Sequence, residues 1–299
     1  MKIFSIEKKE FKIVVTLFGK SILKFTTGRG VYNIKGIVEK YAGVKTNIKK
    51  WDMQHGRTPF DFINDSNPNI EIMFGWNKRY KDAWEKDHTT PCEIITAPFV
   101  MYRRMKKIEK KPDAKGTIAY PVHSTFQTKA EYDIDEYCNM LRSLPEEFQP
   151  VTISVHPADV QCFGLDKEYQ KRGFKTVTSS VNSKRKFYEQ FYDNLCSHKY
   201  ATSNEPGSYT FYAVEAGIPF FILGSPCVID NTSGKDAMSE AKIFTICDYK
   251  WGKYTYDLFS QEPFGVITPE QKEFVESELG VNDGLSKEEL KNILKKVGK

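Results

Sequence analysis

Between residues 116 and 223, short apolar runs alternate with segments of helical spacing, and this alternation restricts the chain to a narrow set of folds. Strands are expected over 116–120, 150–155, 174–178, 199–203 and 219–223, and helices over 134–143, 165–172, 184–198 and 208–215. In the third helix Phe187, Phe191 and Leu195 recur at four-residue steps, which puts them on one apolar face. Strands separated by helices of this length pair in parallel through crossovers, giving an open α/β sheet with helices on both faces. Ligands of such sheets bind outside the carboxyl ends of the strands, so the residues leaving each strand are where chemistry is expected.

Ahead of residue 116 the pattern is looser. Apolar Phe11, Ile13, Val15 and Leu17 alternate with other residues, Gly19-Lys20 makes a turn, and a second run covers 21–25, which together predict a β-hairpin. A short helix is expected over 32–41, a strand over 69–74, a helix over 77–86 and a strand over 93–97 stopped by Pro98. The charged stretch 105–115, with Pro112 and Gly116 at its end, reads as the link between two domains. After the sheet, a helix is expected from Pro269 to 279, and another from Ser286, where Glu289 completes a capping box.

Four polar segments stand at candidate sites. Pro121-Val122-His123-Ser124-Thr125 offers an imidazole and hydroxyls to phosphate or sugar oxygens, or is simply a capped turn. His156-Pro157 follows the next strand, with proline suited to the first turn of a helix. Thr202-Ser203-Asn204-Glu205-Pro206-Gly207-Ser208 runs from strand into helix; Gly207 permits close backbone approach, and the free N–H groups of a helix start stabilise phosphate. In the first half, His55 within Gln54-His55-Gly56-Arg57 is a candidate general base or anion contact.

Composition narrows the partners. The 299 residues include 44 basic and 39 acidic side chains, a formal charge of +5, which fits an anionic ligand or a membrane surface as well as ordinary solvation. The densest basic run, 103–111, lacks interleaved aromatics and zinc spacing, so nucleic acid is not an expected partner. No apolar run approaches the roughly 18 residues that span a bilayer, and the start lacks the apolar core of a secretory signal, so a soluble, non-secreted chain is expected. Six scattered cysteines without a Cys-x-x-Cys pair read as reduced, mostly buried thiols rather than a zinc or disulfide framework. Walker, Gly-x-Gly-x-x-Gly, Gly-x-Ser-x-Gly, His-Glu-x-x-His and Asp-x-Asp motifs are absent, which argues against an NTPase, a dinucleotide dehydrogenase, an α/β-hydrolase, a zinc protease or a metal-dependent sugar-nucleotide transferase.

The order of these segments, 120–125, then Ser154-Val155-His156-Pro157, then 201–208 followed by Glu215-Ala216-Gly217-Ile218-Pro219-Phe220, resembles the nucleotide-binding domain of GT-B glycosyltransferases. It is similar to bacterial sialyl- and polyol-phosphate transferases, and Gln54-His55-Gly56 to the first domain of capsule-assembly transferases. Where retaining members carry two glutamates eight residues apart, this chain has Asn204 and Tyr212. The resemblance implies an α/β fold of two Rossmann-like domains, the N-terminal one reduced and carrying the β-hairpin, with helices at the C-terminus. It divides the chain into an acceptor-side domain at 1–110, a nucleotide-sugar domain at 111–265 and a helical tail at 266–299. The implied activity is metal-independent transfer of a sugar from a nucleotide-sugar to a capsule or lipopolysaccharide glycan, free or lipid-linked, in the cytoplasm. Peripheral attachment at the inner face of the plasma membrane stays open. The nucleotide-sugar is the substrate and no separate cofactor is implied. His55 is the implied base, and His123, Ser124, Thr125, His156, Pro157, Thr202, Ser203, Asn204, Glu205, Gly207 and Ser208 the implied donor contacts. A polyol-phosphate transferase, a sugar-nucleotide epimerase and a non-catalytic binding subunit remain alternatives on the same fold.

Overall fold

The alternating residues at the start of the chain form an antiparallel meander rather than a lone hairpin. β1 (Phe4–Lys9), β2 (Lys12–Leu17) and β3 (Lys20–Thr26) pair in that order, with a bulge between Val15 and Thr16. The computed structural model describes residues 4–9, 12–17, 20–26, 33–56, 69–124, 128–179, 186–231 and 241–297.

α1 (Ile34–Ala42) precedes a parallel sheet of β4 (Trp51–Met53), β5 (Ile72–Gly75) and β6 (Cys92–Ile94). α2 (Lys78–Asp87) crosses from β5 to β6; Asn77 caps it by accepting the Tyr80 N–H at 2.8 Å. α3 (Pro98–Lys106) follows directly, with proline in its first turn. It takes up the first two residues of the stretch expected to link two domains.

The second half forms the expected parallel sheet. Its elements are β7 (Thr117–Ala119), the short β8 (Lys129–Glu131), α4 (Ile134–Arg142), β9 (Val151–Ser154), α5 (Pro157–Phe163), α6 (Leu165–Lys171), β10 (Lys175–Val177), α7 (Lys186–Cys196), β11 (Tyr200–Ser203), α8 (Ser208–Glu215) and β12 (Phe220–Ile222). The strands lie in the order β10-β9-β7-β11-β12, all parallel. The chain steps outward from β7 to β9 and β10, then returns through α7 to β11 on the other side of β7. That reversal makes the gap between β7 and β11 the topological switch point, the place where open α/β sheets bind their ligands. β13 (Val228–Asp230) and β14 (Ile243–Phe244) form a small antiparallel sheet with β8.

Side chains alternate across the second sheet. Ile118, Phe220 and Ile222 face a core shared with Trp51, Phe74, Val100, Tyr192 and Phe211, whereas Ala119, Ile153 and Phe221 face a second core with Tyr137, Leu141 and Tyr169. The first core therefore belongs to both halves. α9 (Lys250–Phe259) leads into α10 (Pro269–Glu278) and α11 (Lys287–Val297), which return to the first sheet. The Ala97 N–H donates to Leu279 O at 2.9 Å, the Leu285 N–H to Ile94 O at 2.8 Å, and Thr96 Oγ1 to Gly280 O at 3.0 Å. The architecture is α/β with two Rossmann-like halves, the first reduced to three parallel strands among the described residues. Among those residues, no helix is long and apolar enough to cross a membrane.

Candidate functional site

The exit of β4 is built from buried hydrogen bonds. Lys35, only 6% exposed, donates to Ile48 O at 2.9 Å and Trp51 O at 2.6 Å and pairs with Asp52 at 3.1 Å, so its charge is compensated while it pins the strand. Gln54 is buried; its Oε1 accepts the Trp76 N–H at 2.9 Å and its Nε2 donates to Gly56 O at 3.0 Å. One side chain thus joins the exits of β4 and β5 and bends the loop that presents His55, which is exposed. Gly56 adopts φ +75°, and a Cβ placed there would lie 3.5 Å from Ser208 Oγ. The histidine loop of the first half therefore lies against the start of α8 in the second.

Three exits of the second sheet meet nearby. The Val122 N–H, after β7, donates to Asn204 Oδ1, after β11, at 2.8 Å. His123 stacks on His156, after β9, with ring centroids 3.9 Å apart and planes 14° apart. The Ser124 N–H donates to Asp159 Oδ1 on α5 at 3.2 Å, and Ser124 Oγ accepts the Ala130 N–H of β8 at 3.1 Å. His156 caps α5 through Nδ1, which accepts the Ala158 N–H at 3.2 Å, and Pro157 fills the first turn. Thr125 lies outside the described residues.

These bonds assign tautomers. His123 Nδ1 is 3.1 Å from Ser124 O, and a carbonyl only accepts, so Nδ1 carries the hydrogen and Nε2 a lone pair. His156 Nδ1 is the acceptor, so its hydrogen sits on Nε2. Both rings stay neutral. Burial lowers the pKa of His123, and burial together with the neighbouring His123 pulls His156 down to about 3. Two imidazolium charges this close repel by about 4 kcal/mol even at an effective dielectric near 20.

Asn204 is the central observation. It is 3% exposed, and its Oδ1 is fixed as the acceptor by Val122, so its Nδ2 must be the donor end. Among the described residues that Nδ2 is buried with no hydrogen-bond partner. A buried donor left unpaired costs about 1–3 kcal/mol, and this one sits at the switch point beside the positive end of α8.

Several of the expected donor contacts have their polar groups bonded within the protein. Thr202 and Ser203 are fully buried and their hydroxyls are used internally: Thr202 Oγ1 donates to Phe221 O at 2.9 Å, and Ser203 Oγ to Tyr120 O at 2.5 Å while accepting the Glu205 N–H at 3.0 Å. Both hydroxyls are bonded to backbone partners and shape the turn. The Glu205 carboxylate points inward, accepting the Cys227 N–H at 2.9 Å, and burial raises its pKa to about 7. The space above Gly207 holds the Tyr209 ring, 2.7 Å from where a Cβ would be, and the Gly207 N–H donates to Thr210 Oγ1 at 3.1 Å. A Cβ there would meet the aromatic ring, which accounts for glycine at this position. Two residues missing from the expected site matter: Asp159, whose place three residues past a helix cap was a legible signal, and Tyr209, which had none. Burial raises the Asp159 pKa to about 6, partly offset by its bond from Ser124.

A groove of about 920 Å³ runs along α4; Leu223, which follows β12, lines it, but none of the expected donor contacts does. Asp135, Glu136, Glu147 and Glu262 line it with Phe148 and Phe264, a surface that repels anions. Among the described residues, no cluster of three or more His, Cys, Asp or Glu is arranged to hold a metal ion.

No protein-family model matches the chain, and no curated protein sequence matches it. Among solved structures it is similar to the wall teichoic acid polymerase TagF, with a TM-score of 0.45 and 11% identity over 82% of this chain and 67% of that one. Two further structures of TagF align with TM-scores of 0.40 and 10% identity, covering 66% and 64% of their chains. The chain thus spans about two thirds of the polymerase chains it resembles.

Proposed function

We propose that the chain is a transferase that moves a sugar from a nucleotide-sugar to a surface polysaccharide or its lipid-linked precursor. The donor's phosphates lie in the crevice between β7 and β11. Asn204 Nδ2, a donor without a hydrogen-bond partner among the described residues, carries this reading: a donor at the switch point needs an acceptor oxygen, and a phosphate supplies one. His156 Nε2–H and the N-terminal end of α8 at Ser208 add two sources of positive potential for the same group. Charge builds on the leaving phosphate as the glycosidic bond breaks, and donors fixed in advance stabilise it without reorganising. His55, on the loop packed against Ser208, takes the proton of the acceptor hydroxyl. A lipid-linked acceptor would be met at a membrane surface.

The test is a thermal-unfolding series with CMP, CDP, UDP and GDP, followed by turnover with sugar nucleotides and with CDP-glycerol. A ligand at a hundredfold excess over its Kd adds about 2.7 kcal/mol of stability, which a melting curve resolves. At least one nucleotide should raise Tm. Asn204→Asp keeps the acceptor for Val122 but turns the donor into an anion, so it should abolish that rise. An unchanged rise in the variant, or none with any nucleotide in the wild type, sinks the proposal. The turnover arm separates sugar transfer from polyol-phosphate transfer.

A further inference from the structure

The stacked imidazoles present unlike edges. His123 is held by Ser124 O so that Nε2 is a bare acceptor, and His156 is held by the Ala158 N–H so that Nε2 bears hydrogen. Stacking at 3.9 Å keeps the two rings together, so a ligand that engages one meets the other. Phosphate oxygens present lone pairs, and a bare ring nitrogen repels them. His123 therefore does not suit the phosphate contact expected of it from sequence.

We infer that His123 is a specificity residue whose Nε2 accepts a hydrogen bond from a hydroxyl or amino group of the ligand, while His156 beside it donates to a phosphate oxygen. The inference rests on the nucleotide reading of the crevice. A nucleotide donor carries both chemistries: hydroxyls on its ribose, and an exocyclic amine on cytosine or guanine but not on uracil. Inorganic diphosphate offers the acceptor oxygens with neither ribose nor base. A site built this way discriminates strongly, because a ligand lacking the donor leaves a desolvated acceptor unpaired.

Two measurements test it. The chain has five histidines, so protein labelled with ¹⁵N only at histidine gives a ring spectrum simple enough to assign by substitution. Near neutral pH His123 should be the Nδ1–H tautomer and His156 the Nε2–H tautomer. Calorimetric titration then compares CDP, UDP, 2′-deoxy- and 3′-deoxy-CDP and inorganic diphosphate against wild type, His123→Phe and His123→Gln. Phenylalanine preserves a ring for stacking but has no acceptor. It should weaken nucleoside diphosphates by about tenfold or more while leaving inorganic diphosphate unchanged. Glutamine, whose amide oxygen reaches the Nε2 position, should restore most of the loss. The deoxy compounds and the CDP–UDP pair then identify whether a ribose hydroxyl or the base amine is read. An Nε2–H or charged His123, or equal losses for inorganic diphosphate and nucleotides, overturns the inference while nucleotide binding stands. Failure of the wild type to bind any of the nucleotides overturns the nucleotide reading, and this inference falls with it even if the tautomers are as expected. Should His123→Phe not fold, the wild-type spectrum and His123→Gln still decide.

Discussion

Glu205 lies behind the strand exits with its carboxylate against the Cys227 N–H, and burial holds its pKa at about 7 rather than 4.5. In the window between those values the folded chain keeps a proton that the unfolded chain has released. Stability therefore falls as pH rises through that window, and the penalty is complete above it. Glu205→Gln retains an oxygen for Cys227 and cannot ionise. Its stability relative to wild type should climb between about pH 4.5 and about pH 7 and level off above that at roughly 3 kcal/mol, measured by urea unfolding. A difference that does not change with pH would show that the group is not buried as described. His156 acts in the opposite sense: with its pKa pulled down to about 3 from 6.5, it favours unfolding as pH falls below 6.5. None of this was legible in sequence. A hydroxyl-rich, glycine-containing turn reads alike whether its groups face a ligand or the backbone, and only position shows that Ser203 serves Tyr120 O while Asn204 keeps a donor without a partner among the described residues. His123 and His156 were legible as strand-exit residues, because sheet topology alone decides which ends can converge; their opposite tautomers depend on bonds the sequence does not announce.

Elements with strong local periodicity were found from sequence, and those defined by distant partners were not. α7 shows its apolar face in its own spacing, but β4 is three residues long and exists because β5 pairs with it and Lys35 ties it to α1. α3 was hidden because arginines and lysines at its end look like a solvated link, although Arg103 reaches across to Glu215. The second sheet has its own joint at Gly116, with φ +65°. Its carbonyl accepts the Lys199 and Tyr200 N–H groups at 3.0 and 3.2 Å, while the next residue, Thr117, donates to Pro150 O at 3.1 Å. The start of β7 is thus tied to both of its neighbours, β9 and β11. A Cβ at Gly116 would sit 2.2 Å from Pro150 O, which is backbone and cannot turn aside. Gly116→Ala should cost at least ~3 kcal/mol through strained φ plus a forced parting of β7 from β9. Gly164 shares the left-handed conformation, φ +64°, but has no atom within 4 Å of its Cβ position, so Gly164→Ala should cost only ~1 kcal/mol. Urea midpoints of the two variants measure the difference; similar values would mean that the contact with Pro150 contributes nothing beyond φ.

The two halves are joined by side chains that the sequence places far apart. Arg103 of α3 makes two bonds of 2.7 Å to the Glu215 carboxylate at the end of α8, and Glu215 is only 4% exposed in its side chain. Phe99, earlier in α3, stacks on Tyr212 of α8 with centroids 4.4 Å apart, and Tyr192 of α7 donates to Phe99 O at 2.9 Å. α8 is the helix whose other end faces the histidine loop at Gly56, so the bridge that fixes its carboxyl end also sets where its amino end meets the first half. The tail closes the same assembly from behind: Arg79 of α2 pairs with the buried Glu278 at 2.9 Å, and Gly280 fits where a Cβ would strike Trp76 O and Ile95 O. A buried ion pair is weak evidence of stabilisation, since desolvation offsets its attraction, but losing one partner strands the other. Glu215→Leu, which leaves Arg103 with only Arg104 and backbone for company, should therefore lose about 3–5 kcal/mol. Arg103→Leu combined with Glu215→Leu should recover most of that loss, because two apolar side chains of similar bulk pack where the pair stood. If the bridge also positions α8, the double variant should unfold like wild type yet bind nucleotide more weakly. Melting curves with and without nucleotide separate the two effects, and a double variant that matches wild type in both would reduce the bridge to packing alone.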